Sequence, residues 1–368
     1  MKFIYSTLLV FTCTLVWSQK KVTNFTKIDS SNFKKVYSYA LRGEMDAVFE
    51  ILEIADDKNL TKKQVKKKKG YYERFLNLTE NFEYNTSDSE IIDMFKRFQN
   101  YWRSVIIEKV NLKIADSLFR DEMNSFLKEH YKPDYTISKI DKEYYTLFQE
   151  YFKSKNLHGM AMAKTGHLYD LYLWKNENEK IYDINLPEGN TVKVPVVFMR
   201  NFISNGWSHY TTFGNSFSGG WAKKTKLFCV EEAYGPKDEE GFLISYISHE
   251  GQHFSDYKIF PKLKQLDLEY RAKLTELSLS KKTIFKLINK FISGAKNDKK
   301  YAHSFANYMV IKHLSKFILK TDYEMNLKKW KRVSIKKINK AALQLLKNHS
   351  KKLNILGSKT VEGYISTL

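Results

Sequence analysis

The sequence predicts an α+β protein: a helical N-terminal part, a small and mostly antiparallel sheet, then a pair of helices carrying a histidine motif and a helical C-terminal part. Three observations carry that expectation. Apolar residues recur at three- and four-residue spacing up to about residue 157 and again beyond Leu263, as core-facing helices require. Between about His158 and Val230 glycines appear, segments shorten, and aromatic and β-branched residues alternate with polar ones, which suits strands. The stretch Ser248-His249-Glu250-Gly251-Gln252-His253 then sets two histidines four residues apart, one turn apart on the same face if the segment is helical.

Taken in order, residues 1–18 read as a secretory signal peptide: Lys2, the apolar run from Phe3 to Trp17, and a cleavage position near Ser18-Gln19. The mature chain is therefore expected in the periplasm or outside the cell, with no transmembrane segment left once the signal is removed. Residues 19–157 read as a helical N-terminal domain or cap. Its stripes are Phe33, Val36, Tyr37, Ala40 and Leu41; then Ile91, Ile92, Phe95, Phe98, Trp102 and Ile106; then Ile114, Leu118, Met123 and Leu127. A further helix follows from about Asp141 to Lys155.

Residues 158–368 read as a metallohydrolase domain, with a sheet over 158–230, zinc helices over 240–280 and C-terminal helices over 281–368. The expected strands are Leu168 to Trp174, Lys180 to Leu186, Thr191 to Phe198, Trp207 to Phe213 and Lys226 to Val230, with Leu186-Pro187-Glu188-Gly189-Asn190 as a turn. Phe242, Leu243, Tyr246 and Ile247 form the apolar side of the His249 helix. Leu266, Tyr270, Leu274 and Leu277 line the next helix, and Ile284, Leu287, Ile288 and Phe291 the one after.

The net charge of +21 arises from 62 Lys and Arg against 41 Asp and Glu. The excess is mostly lysine scattered along helices, so it supports weak attraction to anionic surfaces, and no specific nucleic-acid partner is expected. Of the two cysteines, Cys13 lies within the signal, so the mature chain keeps only Cys229, which is expected as a buried thiol with no disulfide.

The pattern His249-Glu250-x-x-His253 carries the chemistry. Two imidazoles on one helical face can reach a single zinc ion, while the intervening Glu250 is placed to act on water as general base. A catalytic zinc takes a third protein ligand, and the position six residues beyond His253 is Ile259, so a third histidine there is excluded. The remaining candidates are Glu269 and Glu276, seven residues apart and on nearly the same face of the following helix; one can ligate while the other orients a histidine. A donor aimed at the oxyanion is also needed, and His303, or else Tyr308, is the candidate from a later helix. Neither Ser216 nor Ser218 has the flanking glycines of a nucleophile elbow, so serine-nucleophile chemistry has no support in the sequence.

An H-E-x-x-H helix, a short connection and then a helix bearing a glutamate resembles the gluzincin branch of zinc metallopeptidases, the thermolysin-like clan, over roughly residues 190–280. The resemblance implies His249, His253 and Glu269 as Zn2+ ligands, with Ala272 allowing close helix approach, and Glu250 as the general base. It departs from the clan's pattern at Tyr270, where an alanine normally follows the ligating glutamate. It also implies a substrate-binding edge strand, for which Gly219-Gly220-Trp221-Ala222 followed by Lys226 to Val230 is the counterpart. The expected function is an exported zinc-dependent hydrolase acting on a peptide or protein. The competing expectations are a non-catalytic exported binding protein with a structural metal site, and a basic surface-binding module.

Overall fold

A computed structural model describes residues 27–223, 225–357 and 365. The expected signal peptide, its cleavage position and Cys13 lie outside the described residues. The protein is mixed α+β, and its described residues divide into two compact units: those up to 126 with 166–168 and 207–216, and those of 127–165, 169–206 and from 217 on.

The first unit is helical, with α1 (Lys34–Ala40), α2 (Met45–Ile54), α3 (Lys62–Tyr72), α4 (Ser89–Ile106) and most of α5 (Leu112–His130). Local sequence sets the helix starts. Thr61 and Gln64 form a capping box on α3, and the Asp88 carboxylate accepts the N–H groups of Glu90 and Ile91 at the start of α4. The α4 stripe buries Ile91, Phe95, Phe98, Trp102 and Ile106 as its spacing requires. The stripe expected on α5 is one residue out of register at its start: Ile114 and Leu118 are exposed, and Ala115, Phe119 and Met123 face the core. Phe119 stacks on Tyr101 with centroids 4.3 Å apart, and that aromatic contact selects the face.

Residues Trp207 to Phe213 were expected as a strand, and here the structure differs, forming α7 (Gly206–Thr211). Their aromatic and β-branched character suits a strand, but the buried positions Trp207, Tyr210 and Thr211 follow three- and four-residue spacing. The backbone carbonyls at the end of α7 are taken up by α3 and the π-turn after it: Tyr71 Oη donates to Thr211 O at 2.9 Å and Arg74 donates to Tyr210 O.

The second unit carries α6 (Ile137–Ser154), the sheet and the remaining helices. The strands are β1 (His158–Thr165), β2 (Leu168–Asn185), β3 (Thr191–Asn205), β4 (Gly220–Ala222) and β5 (Leu227–Val230), in the order β1-β2-β3-β5-β4. The two strands expected over 168–186 are one long strand, because the polar run through Asn176 and Glu179 stays in register with β3 although both its faces are exposed. The 186–190 turn joins β2 to β3 as expected; β2–β3 and β4–β5 pair antiparallel and β3–β5 pairs parallel.

Alternation along β3 sends Val192, Val194, Val196 and Phe198 to one face and Val197 and Met199 to the other. The first face is covered by the helix that runs through α8 (Glu240–Phe242), a π-turn (Leu243–Ser248) and α9 (His249–Ile259), whose Phe242, Tyr246, Ile247 and Phe254 complete that core. Next come α10 (Gln265–Leu279), α11 (Ile284–Ser293), α12 (Ala302–Leu314), α13 (Leu327–Trp330) and α14 (Ile335–Leu356). Their core includes the predicted Tyr270, Leu274, Leu277, Ile284, Leu287, Ile288 and Phe291. No helix among the described residues is long and apolar enough to cross a membrane.

Candidate metal centre

The H-E-x-x-H segment opens α9, directly after the π-turn, where Ser248 Oγ bonds the Leu243 carbonyl at 2.8 Å. A π-turn widens the helix by one residue and re-aims the side chains beyond it, and such turns gather at functional sites. Gly251 lets α9 sit close on the sheet: a Cβ there would meet Val194 at 3.4 Å and Ile184 at 3.8 Å. With Gly251 held against the sheet, His249 and His253 turn toward α10.

There they meet Glu269. His249 Nε2 lies 3.6 Å from Glu269 Oε2, and His253 Nε2 lies 3.4 Å from Glu269 Oε1. The ligand atoms of His249, His253 and Glu269 all fall within 4.8 Å of one another, and all three residues are buried. The two rings are edge-on, with centroids 4.9 Å apart and an interplanar angle of 88°. Glu276, one face-repeat further along α10, bonds His249 Nδ1 at 2.8 Å. The two candidate carboxylates thus divide their tasks. Glu269 faces the space between the imidazoles, and Glu276 holds one imidazole from behind, fixing which nitrogen points inward.

This set fits a divalent metal. It supplies two imidazole nitrogens and one carboxylate, a combination that suits zinc and other first-row divalent ions. His253 Nδ1 is buried without a hydrogen-bond partner, and Glu269 Oε2 is buried without a well-aligned one. Two titratable groups with incompletely satisfied polar atoms are costly to bury unless something completes them.

The neighbouring charges are arranged around Glu269. Burial alone would raise its pKa, but the contacts with His253 and His303 and the charge of His249 outweigh it and hold the carboxyl far below its ordinary value. Burial likewise works against a charged His253, and Glu269, Glu250 and Asp256 overcome it, so its pKa is raised. Lys273, buried one turn along α10, places Nζ 3.6 Å from Glu269 Oε2, and Gln265 donates to Glu269 Oε1 at 3.2 Å. Sequence spacing did not single out either residue; their i±4 relation to Glu269 was the available signal.

Glu250 is half-buried, and its charge reaches His253 and Tyr257. His303 sits in the first turn of α12 with a largely exposed ring, and its Nδ1 lies 2.7 Å from Glu269 Oε2. It belongs to the site, but here it contacts the carboxylate of Glu269. Tyr308 is elsewhere, stacked on Tyr323 with centroids 5.0 Å apart. Cys229 is buried in the sheet core, and burial pushes its thiol up to about 12, which makes it inert at neutral pH.

Beneath the triad runs a polar network that the sequence reading missed. Asp256, one turn beyond Gln252, accepts from Gln252 Nε2 and from Arg271 Nε, both at 2.8 Å. Arg271 also reaches Glu188 in the β2–β3 turn at 3.2 Å and Ser350 on α14 at 2.8 Å. Thr275 Oγ1 donates to Gln252 Oε1 at 2.8 Å. The two central positions of the motif therefore serve placement: Gly251 fits the sheet, and Gln252 ties α9 to α10.

Searches against protein-family models, curated proteins and solved structures found no match to this chain.

Proposed function

We propose that the protein is an exported zinc-dependent hydrolase, a peptidase of gluzincin type. The single observation that carries this reading is the convergence of His249, His253 and Glu269 within 4.8 Å, with Glu250 next to the first histidine on the same helix. His249, His253 and Glu269 would hold the ion, and Glu276 would orient His249. Zinc, when bound, supplies Lewis acidity to a substrate carbonyl and to water. Glu250 then takes the proton of the attacking water and delivers it to the leaving nitrogen. His303 reaches the site from α12 and would donate to the developing oxyanion once Glu269 is engaged with metal.

A peptide fits the surroundings. The sheet order puts β4 at the edge of the sheet, ahead of the zinc helix in sequence, and β4 is too short to close that edge against an added extended strand. Gly220 has φ +145° and a Cβ there would run into the Phe228 carbonyl, so only glycine permits the close pairing of β4 with β5. Export follows from the N-terminal apolar run, and signal cleavage near Ser18-Gln19 is checked by sequencing the mature N-terminus.

Two measurements test the reading. Metal analysis of the purified protein is expected to find zinc near one equivalent, and to find it lost from His253→Ala and Glu269→Ala. Full occupancy in both variants would sink the ligand set. Digestion of a peptide library is expected to give cleavage that Glu250→Gln lowers by roughly 10²–10⁴-fold while metal content stays unchanged. Equal cleavage by both forms would refute Glu250 as the base, and bound zinc with no cleavage by either would favour a non-catalytic protein with a structural metal.

A further inference from the structure

A cavity with a volume of about 850 Å³ lies on the other side of α10, between that helix and α12 and α14. Its lining separates by chemistry. Lys316, Lys320, Lys351 and Lys352 contribute four ammonium groups, and no carboxylate lines it among the described residues. Lys316 pairs with Asp322 at 3.1 Å on the exposed side, a contact worth little in water, and Lys320 donates to the Phe317 carbonyl. The walls are apolar: Leu345 is half-buried, while Phe317 and Ile355 are 45% and 71% exposed on the same cavity. At one wall, Tyr270 Oη and His313 Nδ1 lie 2.7 Å apart.

His313 reports the electrostatics of the wall. Burial first, and then the charges of Lys312, Lys316 and His349, push its pKa down to about 4, so at neutral pH the ring is uncharged in a cationic setting. The polar groups deeper in are already engaged, since His349 Nε2 meets Asp267 Oδ1 at 3.0 Å. A cavity of this size is within the range of small-molecule sites. Among the described residues, its lining supplies neither a negative charge nor a hydrocarbon surface to cover Phe317 and Ile355.

We propose that this cavity binds a single-chain anionic amphiphile of the fatty-acid class, its chain against Phe317, Leu345 and Ile355 and its carboxylate among Lys316, Lys320, Lys351 and Lys352. Charge complementarity selects the head and the exposed apolar walls select the tail. The site is separate from the metal centre, so it stands or falls independently of the hydrolase reading.

The test is fluorescence titration of the full mature chain with 11-(dansylamino)undecanoate, with hexadecanoate as unlabelled competitor, run with and without chelator. The expected result is saturable one-to-one binding, displaced by hexadecanoate and unchanged by chelator. Lys320→Glu/Lys352→Glu and, separately, Phe317→Ser are each expected to weaken it about tenfold or more, with the melting curve retained because all three residues are at the surface. The methyl ester of the probe is expected to bind more weakly than the acid, and added salt to weaken the acid alone. Equal affinity in wild type and both variants would overturn the proposal. So would equal affinity for acid and ester, or binding confined to phosphatidylglycerol vesicles with none to the free probe.

Discussion

The two faces of α10 bury the same kinds of residue and treat them differently. On one face Arg271 is fully engaged, with Asp256, Glu188 and Ser350 all within hydrogen-bond reach. On the other, Glu269 sits between His249 and His253, with His253 Nδ1 unpartnered and only loose contacts at 3.4 Å and 3.6 Å joining the three. The first arrangement is complete without any further atom and so reads as structure. The second leaves lone pairs converging on one point and reads as a place for a cation. The difference lies in satisfaction of the groups and cannot be seen from burial or charge alone.

That contrast is open to breakage at its strong end first. Arg271→Met leaves Asp256 and Glu188 without their guanidinium, and removing one partner of a buried pair costs about 3–5 kcal/mol. Denaturant unfolding in the presence of chelator should show that loss, and a change below about 1 kcal/mol would mean that the network is not structural. On the other face, Glu269→Ala should weaken metal binding by more than the roughly 100-fold that marks the loss of an outer partner. Competition with a chromophoric chelator measures it. Glu276→Gln keeps the shape but loses the charge behind His249, and should weaken binding by roughly 10–100-fold. Equal effects of the Glu269 and Glu276 substitutions would erase the distinction drawn between the two carboxylates.

Much of this was legible in the residues. The four-residue spacing of His249 and His253 and the seven-residue spacing of Glu269 and Glu276 put these groups on facing stripes that meet, and the helix stripes beyond Leu263 packed as their periodicity required. Spacing alone did not separate the two glutamates, because both share one face and only the depth of α9 along α10 sets which one lies between the imidazoles; the resemblance was what pointed to Glu269. The Asp256–Arg271 pair was invisible for a similar reason: its members are fifteen residues apart on different helices, and no period links them. Trp207 to Phe213 misled because β-propensity describes fit to a half-buried surface, and the surface here is a set of aromatic rings that accepts one helical turn. The long β2 was obscured because its middle faces solvent on both sides, so its hydrophobic pattern lapses while its hydrogen bonds continue.

The smallest expected effect separates a satisfied exposed group from the satisfied buried one. Glu240, at the start of the helix that leads to His249, accepts the N–H groups of Lys281 and Lys282 at 3.0 Å and both the N–H and Oγ1 of Thr283 at 2.9 Å. It thereby ties that helix to the α10–α11 connection. Burial would raise its pKa, but the hydrogen bonds from Lys282, Thr283 and Lys281 prevail and hold it below its ordinary 4.5. A carboxyl whose pKa is depressed on folding contributes stability above the unfolded value and loses it as pH falls through the folded one. Glu240→Gln should therefore cost about 1 kcal/mol at neutral pH, a modest figure because solvent reaches the site. The gap between the variant and the wild type should close below pH 4.5 as the native carboxyl takes up its proton. Unfolding of the metal-free proteins from pH 7 down through that range measures the gap, and a difference that stays constant would show that the charge of Glu240 contributes nothing beyond what a neutral amide supplies.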